Sequence, residues 1–306
     1  MKNTIHLLFR ALATVMAVGC LCIGGMAQAA EPTASTANDP AAMNDTAAMS
    51  ALRDILANQE AAKEDRYFRA QVVVQSPGAH ADIVFCGVNL GKDDLMHGRG
   101  EANYGALEGS VMSNYVTPFY MDEQADSMNF YFLSDDIWKK FVSMTLWPKQ
   151  EPDELLAMVK DAKILQETAK QRTIAFTLDS RRLGQRFDKG DFTKLSPEQR
   201  SNMATQAVYF RDSFAGDNDI PVVLTVDRQS RRTMMLTMDF SRLLQGIAAS
   251  ALAHDGATMD VGSKEVLAGI REYCEVKLYK AYVDGEDTLG DIDIPSSVKA
   301  KGKSTE

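Results

Sequence analysis

The side chains able to do chemistry are few and scattered. His80, His97 and His254 lie beyond the N-terminal apolar segment, and no two share the His-x-x-x-His spacing that puts paired imidazoles on one helix face for a metal. His97 sits near Asp93, Asp94 and Glu101, a group that suits a weak cation site or simply a solvated loop. Asp284-Gly285-Glu286-Asp287, followed by Asp291 and Asp293, is acidic enough to touch calcium but lacks the Asp-x-Asp-x-Asp-Gly order of a calcium loop, and reads as a solvated turn. No Gly-x-Ser-x-Gly elbow, phosphate-cradling loop or dinucleotide fingerprint is present; Gly98-Arg99-Gly100 lacks the strand-then-helix setting and the later glycine. No catalytic, cofactor or metal constellation emerges, so an enzyme is the least favoured reading. Arg181-Arg182 and Arg231-Arg232 suit lipid phosphate or exposed turns, and Trp138 and Trp147 suit a sugar face or ordinary packing.

Cysteine chemistry depends on compartment. Residues 1–29 have the layout of a secretory signal: Lys2 and Arg10, an apolar run from Ala11 to Ile23, then Ala27-Gln28-Ala29 as a small-x-small cleavage site. The run is shorter than a membrane-spanning helix needs and holds Gly19. The mature chain is expected to start near Ala30, exported to the periplasm or outside the cell, with no transmembrane span. Lipidation at Cys20, after Ala17-Val18-Gly19, is the less favoured alternative. Cleavage removes Cys20 and Cys22 and leaves Cys86 and Cys274, which admit one structural disulfide or two separate buried thiols.

Charge narrows the partners. The chain's formal charge is −9, and losing Lys2 and Arg10 makes the remainder two units more acidic. Such a surface repels phosphate backbones, which argues against nucleic acid. Hydrophobic residues make up 45% of the chain, enough for a sizeable core.

The elements that must carry these residues follow in order. Residues 30–45 read as a disordered linker, 46–298 as a single domain and 299–306 as a frayed tail. Asp45 or Thr46 caps a helix carrying Met49, Leu52, Ile55 and Leu56. Period-two runs then predict strands from Phe68 to Val74, Asp82 to Val88, Leu95 to Tyr104, Ser113 to Tyr120, Met128 to Leu133 and Ile137 to Val142. A short helix opens at Glu151-Pro152-Asp153-Glu154, a hairpin spans Ala162 to Leu178, and Ser180 to Phe187 forms a helical turn. Ser196-Pro197 with Gln199 caps a helix whose Met203, Ala207, Phe210 and Phe214 make one stripe. Ile220 to Ser241 is a hairpin, with Met234, Leu236 and Met238 on one face of its second arm. An apolar helix follows over Leu243 to Ala253, then a last strand from Ile270 to Val283. The order is α+β, with consecutive antiparallel strands and no βαβ alternation.

Several stretches together resemble the LolA/LppX superfamily of bacterial lipoprotein-like proteins. They are Tyr67-Phe68-Arg69-Ala70-Gln71-Val72, Met128-Asn129-Phe130-Tyr131-Phe132 with Ile137-Trp138-Lys139-Lys140, Lys170 to Leu178, the 220–240 hairpin, and Tyr279 to Val298 with Asp291-Ile292-Asp293-Ile294-Pro295. The resemblance covers most of the mature chain as a pattern of strands and turns. It implies a strongly curved antiparallel sheet, an incomplete barrel, with helices on its concave face. It also implies acyl chains or lipoprotein anchors held between sheet and helices, and no shared catalytic residues.

The expected function is a non-enzymatic binder of a lipid or other apolar ligand, with a cavity lined by Met203, Phe210, Met234, Leu236, Met238, Leu244 and Ile247 and no cofactor. The alternative is an envelope-associated interaction or structural module, its interior filled by its own side chains, meeting a protein partner.

Overall fold

The computed structural model describes residues 46–61, 65–90, 95–108, 111–124, 127–134, 136–144, 156–187, 208–283, 289, 291–301 and 303–304. The expected signal and linker, the start of the helix expected at Glu151, the expected cap at Ser196, and Met203 lie outside the described residues.

A helix, α1 (Thr46–Ala61), leads into six strands: β1 (Arg66–Gln75), β2 (Ala79–Leu90), β3 (Leu95–Glu108), β4 (Val111–Gln124), β5 (Ser127–Ser134) and β6 (Ile137–Met144). The hairpin β7 (Val159–Glu167) and β8 (Gln171–Leu178) follows, then α2 (Ser180–Phe187) and a helical stretch, α3, over 208–215. Next come β9 (Ile220–Asp227), β10 (Thr233–Asp239), α4 (Ser241–Asp255), α5 (Val261–Glu272), β11 (Glu275–Val283), α6 (Ser296–Lys301) and β12 (Lys303–Ser304). The strands form one sheet in the order β12-β6-β5-β4-β3-β2-β1-β11-β10-β9-β8-β7. Neighbours from β6 to β7 pair antiparallel, and the two-residue β12 runs parallel to β6. This is the expected α+β order.

Alternation explains why the strands stay in register. In β2, Ala79, Ala81, Ile83 and Phe85 are buried on the inner face, while Asp82 and Val84 point out. Turn chemistry closes the hairpins. The Asp227 carboxylate accepts from the Gln229 and Ser230 backbone N–H groups, and Arg231 takes the left-handed conformation at φ 56°. Between β7 and β8, Thr168 N–H donates to Gln171 O at 2.8 Å.

Three expectations need correction. The second arm of the 220–240 hairpin does not keep a single phase: the β9–β10 register shifts between Thr233 and Met235, leaving Met234 as the extra residue of a bulge. Thr233 is buried in its place. The last strand does not begin at Ile270, because residues up to Glu272 belong to α5. The Asp260 side chain caps that helix by accepting from Ser263 N–H at 2.9 Å, and Val266, Leu267 and Ile270 face inward at helical spacing. The third concerns the tail, which is helical over Ser296–Lys301, buries Val298 and pairs with β6 through Lys303 and Ser304. For Cys86 and Cys274 the sequence left open a bridge or two separate thiols; here they are free thiols in separate hydrophobic clusters.

Two contacts bear on stability. A Cβ added at Gly98 would lie 2.3 Å from the Cys86 carbonyl oxygen and 2.8 Å from the Gly87 Cα, both backbone atoms of the neighbouring strand. Asp219 accepts from the Ser180 backbone N–H at the start of α2 at 3.0 Å and from Lys160 Nζ at 2.7 Å. Burial pushes the Asp219 carboxyl up, but the Lys160 ammonium and the Ser180 donors outweigh it, and the net position is below the usual 3.8.

Gly98→Ala should therefore cost about 2 to 3 kcal/mol in urea unfolding, since no flexible side chain can yield. Gly262→Ala, whose Cβ would meet only Asp260 Oδ1 at 3.5 Å, should be neutral or slightly stabilising in the same assay. The Asp219 contribution should be complete above pH 3.8 and be lost as the pH falls through the depressed native value. Asp219→Asn should lower the midpoint at pH 7 and flatten the acid limb of a stability–pH curve.

Candidate functional site

One apolar layer lies between the inner face of the sheet and the helices. Ala48, Ala51, Leu52 and Ile55 of α1, Leu183 of α2, Phe210 and Phe214 of α3, and the inner faces of α4 and α5 join the sheet in a single core cluster. Local chemistry seats each helix. Ser213 Oγ donates to Leu243 O at 2.8 Å, docking α3 on α4, and Gly246 allows the approach because a Cβ there would sit 2.4 Å from Ser213 Oγ. Phe210 and Phe214 lie with ring centroids 6.1 Å apart.

The expected lining residues divide between two situations. Phe210, Leu236, Met238, Leu244 and Ile247 come together in this layer, with Leu236 and Met238 fully buried and Ile247 6% exposed. Met234, displaced by the bulge, is partly exposed, and its sulfur accepts from Gln171 Nε2 at 3.4 Å. Met235 packs partly against the core instead.

Toward β1–β5 the layer becomes aromatic. Phe68 and Phe85 meet edge to face at 5.9 Å, and Phe85 lies 6.4 Å from Phe119. Glycines make room for these rings, with Gly100 between Phe85 and Phe119 in the cross-strand row. Lys280 is fully buried here, its Nζ 4.1 Å from the Phe68 ring centroid and 3.3 Å from Asn89 Oδ1. The Arg66 guanidinium lies over the Tyr282 ring at 4.2 Å and donates to Thr233 O. Lys280 carries a local signal of its inward position, since it continues the inward phase of Val276 and Leu278.

The polar groups elsewhere are tied into structure. Asp212 accepts from Ser250 Oγ at 2.6 Å and contacts His254 Nε2 at 2.9 Å. The residue types match a nucleophilic triad, but the order differs: Ser250 donates to the aspartate and not to the imidazole. The Ser250 hydroxyl and His254 hold the Asp212 carboxyl below its usual range. Burial and the Asp255 carboxylate, its hydrogen-bond partner, push the Tyr209 phenol up. Arg181 pairs with Asp217, and Arg182 with Asp179 and the Ala157 carbonyl. His97 lies 3.6 Å from Asp293, and among the described residues no three His, Cys, Asp or Glu side chains converge on a metal position. Trp138 packs on Tyr120 at 5.5 Å; Trp147 is outside the described residues.

No protein-family model matches this chain, and no curated protein does. Among solved structures it is similar to LprF from Mycobacterium bovis, at 11% identity over 80% of this chain and 96% of that one, with a TM-score of 0.33. It is also similar to the lipoprotein LppX from Mycobacterium tuberculosis, at 11% identity over 82% and 100% of the two chains, with a TM-score of 0.31. Among the described residues no helix is long and apolar enough to cross a membrane.

The two thiols should differ in reactivity. Burial, with Asp239 and Glu275 nearby, pushes the Cys274 thiol up to about 12, whereas Cys86 is only partly buried. Native mature protein should take up one maleimide, at Cys86, and a second only on unfolding, read by intact mass and peptide mapping. Resistance of both thiols to maleimide after unfolding without reductant would show that they pair.

Proposed function

We propose that the chain is an exported, non-enzymatic binder of a hydrophobic ligand, a lipid or lipoprotein carrier in its most specific form. It acts as a single domain over 46–298, in the periplasm or outside the cell. The observation that carries this reading is the continuous apolar layer between one face of the β1–β11 sheet and the helices, with methionine and aromatic side chains at its heart. Gly87, Gly98 and Gly100, where neighbouring backbones close in on the inner side, support a sheet strongly curved toward the helices, an incomplete barrel with the helices on its concave face. A ligand enters as α3 and α4 separate from β9 and β10, exposing Phe210, Leu236, Met238, Leu244 and Ile247. At about 0.8 kcal/mol per buried methylene, a dozen methylenes supply on the order of 10 kcal/mol before ordering costs.

A second reading has its own observation. Leu236 and Met238 are already fully buried among protein side chains, which favours a self-filled envelope module that meets a protein partner.

Native mass spectrometry on the mature protein, purified without detergent from a secreting host, separates the two. A stoichiometric extra mass removed by organic extraction, identified by lipid analysis, is the expected result. A bare polypeptide mass that stays bare after incubation with envelope lipids would sink the carrier reading in favour of the second.

A further inference from the structure

The face of the sheet turned away from the helices holds a trough of ≈ 570 Å³. Cross-strand register builds it. One wall is the row Arg69, Cys86, Arg99 and Tyr120, on β1 to β4 in turn. The other is the row Val84, Glu101 and Pro118, on β2, β3 and β4. Between them runs the row Phe85, Gly100 and Phe119, whose rings are buried on the helix side, so the floor is low. At the Cys86 end Leu289 closes in, its carbonyl 4.0 Å from the thiol sulfur. Tyr120 is braced from behind by Trp138.

The two walls differ in chemistry. On the first, Arg99 is exposed and has no ion-pair partner among the described residues, and Arg69 stands two strands away on the same row. Opposite, Val84 is 52% exposed, and Pro118 projects outward in mid-sheet. The proline is tolerated because the β4–β5 ladder begins only at Phe119, so its missing N–H interrupts no pair with β5. A guanidinium facing a wall that is apolar at Val84 and Pro118 recognises a molecule with an anionic head and an apolar body. Glu101 sets the charge of that head: a carboxylate in the facing row repels a dianionic phosphate more strongly than a singly charged group. The volume falls within the range of small-molecule sites, roughly 300 to 1,000 Å³.

We propose that this trough is a second binding site, one that takes a singly charged carboxylate with a short apolar body, its head on Arg99 and its body along Val84 and Pro118. Arg99, Val84 and Cys86 point away from the helix-covered layer, so this site and the interior carrier function stand or fall separately.

Octanoate is the probe and octan-1-ol its neutral control, with purified mature protein. Saturating octanoate should slow maleimide labelling of Cys86 several-fold, and octan-1-ol should not. Calorimetry should give an octanoate Kd that Arg99→Gln weakens about tenfold or more, as expected for losing a charge-assisted head contact, with Tm and any copurified lipid unchanged. Equal octanoate affinity in Arg99→Gln, persistence of Cys86 protection in that variant, or equal protection by octan-1-ol would overturn the proposal. Should Cys86 prove unreactive, the calorimetric comparison decides by itself.

Discussion

The pairing of β11 with β1 is the interaction on which the rest of the fold depends. Strands β1 to β6 form one meander and β7 to β10 another, and each would leave an open edge, β1 on one side and β10 on the other. The last long strand fills both at once, from Tyr67 opposite Val283 to Gln75 opposite Glu275, and from Met235 opposite Ala281 to Asp239 opposite Lys277. Two rows of backbone donors and acceptors are satisfied by one segment, and two potential aggregation edges disappear. The cost is loop closure over most of the domain, which favours slow folding, because β1 must wait for a partner made near the end of the chain.

That seam also fixes which side of the sheet the helices cover. Helices α4 and α5 connect β10 to β11 and are held at both ends: Phe240 N–H donates to Val276 O, and Ser241 Oγ accepts from Val276 N–H. Their apolar faces therefore have one direction in which to pack, onto the inner rows of β9, β10 and β11. With the inner face occupied by side chains of the protein itself, the outer face is covered, among the described residues, by the C-terminal segment, where Leu289 and Ile292 join Val88 in a small separate cluster. The same period-two alternation thus makes a dry layer on one side and an amphipathic trough on the other.

Glycine and lysine placement show how tightly the inner face is filled near the seam. Gly87 and Gly98 pair directly across strands, and a Cβ at Gly87 would lie 3.0 Å from the tip of the Phe68 ring. The same ring covers the Lys280 ammonium. A charged group is kept in the core by aromatic faces and the Asn89 amide among its contacts, which makes this end of the layer chemically distinct from the aliphatic end under α4.

Much of the architecture could be read from local pattern. The hairpins at 162–178 and 220–240, the strands of the first meander, α4 and the turn helix at 180–187 all carry their signals within a few residues, since alternation, capping and turn chemistry act over short range. The signals for α5 were local too, Asp260 before Ser263 and Val266, Leu267 and Ile270 behind, but the glycines at 262 and 269 weaken a helical pattern and the following strand masked it. What tertiary structure alone decided is of a different kind. The bulge that takes Met234 out of phase lies where β10 pairs with β9 alone, just before its pairing with β11 begins at Met235. Cys86 and Cys274 belong to different clusters because Cys86 faces the outer side of β2, whereas Cys274, in the link between α5 and β11, is buried with the inner core. The wall of Arg69, Cys86, Arg99 and Tyr120 comes from four strands, each ordinary alone, and only their alignment across the sheet makes it a surface with a chemistry.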